Sequence, residues 1–375
     1  MSLPRRSLSP TERRDWLRLS RTERVGPITF RQLLRRFSTA AAALAALPDL
    51  ARRGGSAKPL APPSLQRVED EIAGLEHLGG RFIAWCEPDY PELLAEVEDA
   101  PPLLAVLGTP ALLTRPCLAV VGARNASLNG RRLAEKLARD LGGAGFVVVS
   151  GLARGIDAAA HEASLSMGTI AVVAGGADVV YPEENRDLYT RLVASGAVVS
   201  DQPLGCEPRA QMFPRRNRII AGLCRGVVVV EAAPQSGSLI TAHLALEQGR
   251  EVFAVPGSPL DPRAQGPNDL LRQGATLTEN AEDILRALRP LHAGRLAERK
   301  PHDPFGEAPP PPVDEKQLEK ARAGIRENLS LSPVLIDDLI RHTGLPPGVV
   351  MTVLLELELA GQVERQPGHR VALIP

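Results

Sequence analysis

The chain has 375 residues, 44% of them apolar, which suffices for two or three domains with ordinary buried cores and excludes disorder throughout. Lys plus Arg and Asp plus Glu each total 44, so no whole-molecule positive field marks a nucleic-acid binder, and any such site must be a local patch. Cys86, Cys117, Cys206 and Cys224 are scattered without a Cys-x-x-Cys pair or a His at ligand spacing, which argues against a metal site and predicts buried free thiols.

Met1 to Arg14 is charged and Pro-containing without an apolar core segment, so a signal peptide is not expected, and no later stretch is apolar enough to span a bilayer. A cytoplasmic protein is the expectation. From Arg13 to Leu50 apolar residues recur at helical spacing, interrupted at Val25, Gly26 and Pro27, with Ile28 to Phe37 resuming a helix. The Val25-Gly26-Pro27-Ile28 segment resembles a helix-hairpin-helix turn, whose backbone amides can hold a DNA phosphate, and it reads equally well as an ordinary connection between helices. Arg52 to Pro63 is a loop by composition, followed by a helix from Leu65 to Leu78. Residues 1–90 are therefore assigned to an N-terminal helical domain.

Six apolar strands then alternate with helical segments, at Leu118 to Val121, Phe146 to Val149, Ile170 to Ala174, Ala197 to Ser200, Val227 to Val230 and Val252 to Val255. Continuous β-branched runs indicate strands buried on both faces, so residues 100–290 are predicted to form an α/β, Rossmann-like, doubly wound parallel sheet. Residues 291–313 read as a Pro-rich linker. Within 314–375, Asp337 to His342, Pro347 to Ala360, Val363 to Arg365 and Arg370 to Ile374 follow the order of a C-terminal winged helix.

Ligands of such sheets bind at the carboxyl ends of the strands, and the junctions there share a glycine-rich style. The first is Val121-Gly122-Ala123-Arg124, the second Ser150-Gly151-Leu152-Ala153-Arg154-Gly155, the third Gly175-Gly176, and the fifth leads to Ser236-Gly237-Ser238 ahead of a helix. Glycines let backbone approach a ligand, and free amides at helix starts attract anions, so several phosphates along one rim are expected. A dinucleotide is disfavoured, because the first junction lacks Gly-x-Gly-x-x-Gly and no acid ends the second strand. No Walker-type P-loop is present either.

The densest cationic cluster carries Arg209, Arg215, Arg216 and Arg218, with Phe213 and Asn217 among them. With aromatics at only 3% of the chain, Phe213 stands out as a base-stacking platform beside phosphate contacts, a combination suited to single strands. Candidate catalysts are sparse. Asp157 and His161 lie one helical turn apart and read more readily as a local contact than as a general base, Ser236 and Ser238 have no His to activate them, and Glu231 is placed to orient loops by accepting hydrogen bonds.

Together, VGAR at Val121 to Arg124, SGLARGIDAAAH at Ser150 to His161, GGADVVYPEEN at Gly175 to Asn185, FPRRNRIIAGL at Phe213 to Leu223, SGSLITA at Ser236 to Ala242 and AVPG at Ala254 to Gly257 resemble the bacterial DNA-processing protein A (DprA/Smf) family. The resemblance covers about Leu118 to Leu285 and is weaker at both ends. It implies a non-enzymatic protein, without cofactor or metal, that binds and protects incoming single-stranded DNA in natural transformation. It also implies help in loading the RecA recombinase and a homodimer built through the Rossmann-like domain. Arg124 and the arginines around Phe213 would hold phosphates, with Phe213 near a base and the Ser236-Gly237-Ser238 turn lining the same pocket. The N-terminus resembles the family's sterile-alpha-motif-like domain. Two departures stand out: Ser200-Asp201 where members commonly carry Ser-Glu, and Gly175-Gly176-Ala177 where a second glycine after an intervening residue is usual.

The main competing reading is a Rossmann-like phosphoribohydrolase acting on nucleotide monophosphates, but that group resembles Pro-Gly-Gly-x-Gly-Thr at its glycine loop, a run this chain lacks. A third makes the winged helix a sequence-specific duplex reader. Its second helix carries glutamates and no arginine, which favours a partner contact instead.

Overall fold

Ser9 opens the first helix, α1 (Pro10–Ser20), with a reciprocal cap: its hydroxyl accepts from the Glu12 amide at 3.3 Å and its own amide donates to the Glu12 carboxylate at 2.9 Å. Gly26 and Pro27 start α2 (Pro27–Phe37), and Thr39 caps α3 (Ala40–Arg53) after Ser38 turns the chain at a φ of 63°. Trp16 and Phe30 meet edge to face at 5.1 Å, fastening α1 to α2. A fourth helix, α4 (Leu65–His77), follows the predicted loop. The computed structural model describes residues 5–56, 58, 60–289, 315–366 and 368–374, which divide between two units. One contains residues 8–68 together with the described C-terminal residues, and the other the described residues from 5 to 7 and from 69 to 289.

The larger unit is a mixed sheet. Its elements in chain order are β1 (Arg81–Ala84), α5 (Glu92–Ala95), β2 (Leu103–Gly108), β3 (Cys117–Val121), α6 (Leu128–Gly143), β4 (Val147–Ser150), α7 (Ile156–Ser164), β5 (Thr169–Val172), α8 (Arg186–Ser195) and β6 (Ala197–Ser200). Then come α9 (Met212–Leu223), β7 (Gly226–Val229), α10 (Gly237–Glu247), β8 (Glu251–Ala254), α11 (Gln265–Arg272), β9 (Thr276–Leu277) and α12 (Ala281–Leu288). The nine strands run in the order β1-β2-β6-β5-β4-β3-β7-β8-β9, parallel from β6 to β9. Alternate side chains feed two cores, Ala119, Val121, Val149 and Val227 on one face and Leu118, Val120, Val148 and Val228 on the other, as a doubly wound sheet requires.

Three strands of this sheet were not foreseen: β1, β2 and the short β9 at the opposite edge. β1 pairs antiparallel with β2, and β2 antiparallel with β6, so the sheet gains an antiparallel edge and residues 81–90 belong to it rather than to the N-terminal helices. Cys86, Cys117 and Cys224 are buried free thiols as expected, but Cys206 is only partly buried, because it sits in the loop after β6. The predicted linker at 291–313 lies outside the described residues.

The C-terminal element order is α13 (Glu315–Glu327), β10 (Val334–Leu335), α14 (Ile336–Thr343), α15 (Pro347–Leu359), β11 (Val363–Gln366) and β12 (Arg370–Leu373), with sheet order β10-β12-β11, a winged helix. Helix α15 is buried nearly all round, because it has two partners in its unit. One side meets the winged-helix core at Leu318, Ile325 and Leu339, and the other packs on α3. Arg24 donates to the Leu359 carbonyl at 3.3 Å, and Arg365 bridges Glu358 at 3.1 Å and Gln32 at 3.2 Å. A side chain at Gly54 would place its Cβ 1.9 Å from the Glu356 carbonyl oxygen, so glycine is what lets the two helices touch. One side of the glutamate-bearing helix is thus covered by the protein's own N-terminal helices.

Candidate nucleic-acid interface

From β3 the sheet grows through β4, β5 and β6 in one direction and through β7, β8 and β9 in the other, so the loops after β3 and β7 diverge and leave a crevice between them. Glu231, just beyond β7, closes its floor. Its carboxylate accepts from the Ser127 hydroxyl at 2.5 Å and the Ser127 amide at 2.9 Å, while the same hydroxyl accepts from the Gly130 amide at the start of α6. The acid therefore orients the first junction, as its strand-end position suggested.

Above that floor the structure brings Arg124 to Phe213. The Arg124 guanidinium lies 5.3 Å from the centre of the Phe213 ring, at cation–π distance, although the two residues come from separate junctions. Arg124, Arg209 and Arg215 are exposed, and their guanidinium groups make no hydrogen bond or ion pair among the described residues, so their charge is available to a ligand.

The rest of the cluster turns inward. Arg216 is buried; its Nη1 donates to the Gly151 carbonyl at 2.8 Å and also bonds the Val172 carbonyl, and its ring contact with Phe213 is 6.0 Å. Burial pushes its pKa down to about 10, against the pull of Asp157, so it stays charged at neutral pH. Arg218 is bound to Asp201 at 2.7 Å and to the Asp99 carbonyl, which gives Asp201 a role as its counter-ion. Asn217 donates to the Gly237 carbonyl at 3.1 Å and so ties α9 to the serine turn.

The glycine junctions divide in the same way. Gly151 is filled from within, since a Cβ there would sit 2.7 Å from the Arg216 guanidinium, and its amide already donates to Asp157 at 3.1 Å. Gly122 packs its α-carbon against Ile156 and the Glu231 carbonyl. Gly155, at a φ of 78°, brings the second junction so close to the first that a Cβ would lie 2.2 Å from the Ala123 carbonyl oxygen. By contrast Gly237 is exposed and a Cβ there would meet nothing within 4 Å, and Ser236 and Ser238 share a 2.7 Å hydroxyl contact at the start of α10. At that helix start the Ser238 and Leu239 amides donate to Ser236 at 3.4 and 3.0 Å, which leaves the exposed Gly237 amide as the group placed to meet an anion.

Asp157 and His161 do not pair. Asp157 accepts from the amides of Gly151 and Ala153, and His161 Nδ1 meets the Thr169 hydroxyl at 2.8 Å. Both are buried: burial raises the Asp157 pKa against the lowering influence of Arg216, and it drives the His161 pKa down to about 3, helped by Arg216. Neither faces solvent as a general base would. Among the described residues no group of His, Cys, Asp and Glu is arranged to hold a metal, and no helix is long and apolar enough to cross a membrane.

Sequence reasoning passed over two residues of the GGADVVYPEEN motif. Tyr181 is 46% exposed, with its ring 5.6 Å from that of Phe213. Asn185 donates to the Leu152 carbonyl at 2.9 Å, bracing a non-glycine residue held at a φ of 58°. In the sequence both stand only as parts of the GGADVVYPEEN signature.

Residues 81–289 match the family described as DNA recombination-mediator protein A, residues 10–74 a DprA-like N-terminal HHH domain, and residues 308–369 a DprA winged helix domain. The chain is 33% identical over 409 residues to protein Smf of Synechocystis sp., covering 97% of this chain and 99% of that one. It is similar to the X-ray structure of DNA processing protein A from Streptococcus pneumoniae, with a TM-score of 0.62, 36% identity, and coverage of 75% of this chain and 98% of that one. It is also similar to DNA processing protein A from Helicobacter pylori, a structure described for its single-stranded DNA binding mode, with a TM-score of 0.52, 28% identity, and coverage of 56% and 96%.

Proposed function

The chain belongs to the DNA recombination-mediator protein A family, and on that premise we propose that it binds single-stranded DNA along the carboxyl edge of its sheet. The observation that carries this reading is Arg124 over Phe213, a free cation and an aromatic ring converging from different junctions where the sheet changes direction. Arg124, Arg209 and Arg215 take phosphates, and the open start of α10 at Ser236, Gly237 and Ser238 takes another. Gly122, Gly151, Arg216, Asn217 and Arg218 shape the rim from beneath, since their polar groups are committed or their space is filled. The likeness to the Helicobacter pylori protein supports single strands as the ligand.

The role that goes with this ligand is DNA processing in natural transformation: protection of the incoming strand and its transfer to the RecA recombinase by a cytoplasmic homodimer joined through the α/β unit. A binding rather than hydrolytic role is supported by the burial of Asp157 and His161. The test is a salt titration with single- and double-stranded oligonucleotides on the full chain. Single strands are expected to bind more tightly than duplex, with affinity falling by a log–log slope of about −0.7 per phosphate contacted. Equal affinity for duplex, or indifference to salt, overturns the reading.

A further inference from the structure

Phe213 is the obvious candidate for stacking on a base, yet it is half-buried and already surrounded: Arg124 lies 5.3 Å from its centre, Arg216 6.0 Å and the Tyr181 ring 5.6 Å. Tyr181 is the more open member of the pair. It leaves 46% of its surface exposed, its hydroxyl has no hydrogen-bond partner among the described residues, and it belongs to neither core of the sheet. An aromatic side chain left this open leaves part of its ring available to a ligand.

Tyr181 also lines a pocket of about 700 Å³ with Arg154, Asp178, Pro182, Glu184 and Glu207. The charges of that pocket decide what can enter. Arg154 is paired with Glu184 at 3.2 Å, and neighbouring Arg186 holds Glu183 through two contacts of 2.5 and 2.8 Å. Asp178 accepts from the Gly205 amide at 2.9 Å, and Glu207 is exposed with no ion pair among the described residues. The arginines here are neutralised and carboxylates remain, so the pocket repels phosphate and admits an uncharged planar group. The unpaired guanidinium of Arg124 lies instead against Phe213, the other ring of the pair.

We propose that Tyr181 is the stacking platform of the interface and that its pocket receives one unpaired nucleobase, while the phosphates on either side of it follow Arg124 and Arg215. Phe213 then serves as the layer beneath, holding Tyr181 and Arg124 in place. This assignment rests on the reading of the chain as a single-strand binder.

The test uses the full-length protein and a single-stranded oligonucleotide carrying one 2-aminopurine, whose fluorescence is quenched by stacking. Wild type is expected to quench it. Tyr181→Ala is expected to lose the quench and bind about tenfold more weakly with an unchanged salt slope, and Tyr181→Phe to keep both properties. Irradiation of the wild-type complex with a 5-iodouracil strand should cross-link Tyr181, which settles the matter if the alanine variant fails to fold. An affinity of Tyr181→Ala within about twofold of wild type with the quench intact, or cross-links that avoid Tyr181, overturns the proposal. If Arg124→Ala weakens binding while Tyr181→Ala does not, this inference alone fails; if wild type binds no single strand, the broader reading fails with it.

Discussion

Arg216 donates through Nη1 to the carbonyl oxygen of Gly151 at 2.8 Å, so one arginine of the surface-looking cluster is built into the floor of the sheet edge. Its neighbour Arg215 is exposed and makes no such bond. Adjacent arginines in one motif therefore have separable effects. Arg216→Met leaves the Gly151 and Val172 carbonyls without their donor and Asp157 without its counter-charge, and is expected to destabilise the protein by about 3–5 kcal/mol. Arg215→Met should change stability by no more than about 0.5 kcal/mol. Urea unfolding of both variants measures the difference, and equal losses would refute the division.

Binding should separate them in the opposite sense. Arg124→Ala and Arg215→Glu are expected to weaken single-strand binding at least about tenfold, or roughly 1.4 kcal/mol. Each should also flatten the salt dependence, because a phosphate contact has been removed. Arg218→Ala, which breaks the pair with Asp201, should lower stability and leave the salt slope as it was. Fluorescence anisotropy across a salt series distinguishes the two behaviours, and an Arg124→Ala protein of wild-type affinity would remove the central contact of the interface.

Acid sensitivity has a specific source at His161. Its pKa is depressed from the ordinary 6.5 to about 3 in the folded protein by burial and by Arg216, so below pH 6.5 the unfolded chain takes up a proton that the folded one refuses. The stability this group contributes is complete above about pH 6.5 and is lost as pH falls toward 3, at about 1.4 kcal/mol per pH unit. Asp157, whose folded pKa is raised, acts with the opposite sign, which is why the comparison must be with a variant. His161→Gln should show a shallower fall in stability between pH 6.5 and pH 4 than wild type; parallel curves would show that the imidazole is protonated in place.

At Gly54 the expected effect is confined to the unit formed by the two termini. Gly54→Leu would drive a side chain into the Glu356 carbonyl, where even a Cβ is only 1.9 Å away. The contact between α3 and α15 should open, with faster amide hydrogen exchange in α15. Single-strand binding by the α/β unit should stay within about twofold of wild type. Unchanged exchange in α15 would mean that the contact does not hold the winged helix.

The parallel strands were legible because they are buried on both faces: Val147 to Val149 and Val227 to Val229 are unbroken β-branched runs with no other sensible home. The winged helix was legible from its turn chemistry, through the Leu345-Pro346-Pro347 break and the Pro367-Gly368 turn. β1 escaped notice because Arg81 to Ala84 is only four residues long and follows directly on a helix, and its partnership with β2 is antiparallel at the edge of the sheet.

By itself the sequence determined which strand ends carry glycine and where the cations cluster. Only the tertiary structure decided which cations face water. Arg216, Asn217 and Arg218 are successive residues on α9, about 100° apart around the axis, and all three are buried because α9 is covered on several sides by elements remote in the chain. Likewise Tyr181 and Phe213 become neighbours only when the loop after β5 folds back over the start of α9. Periodicity reports one buried face of an element; how many neighbours enclose it is settled by long-range packing, and that packing separates a ligand contact from a structural one.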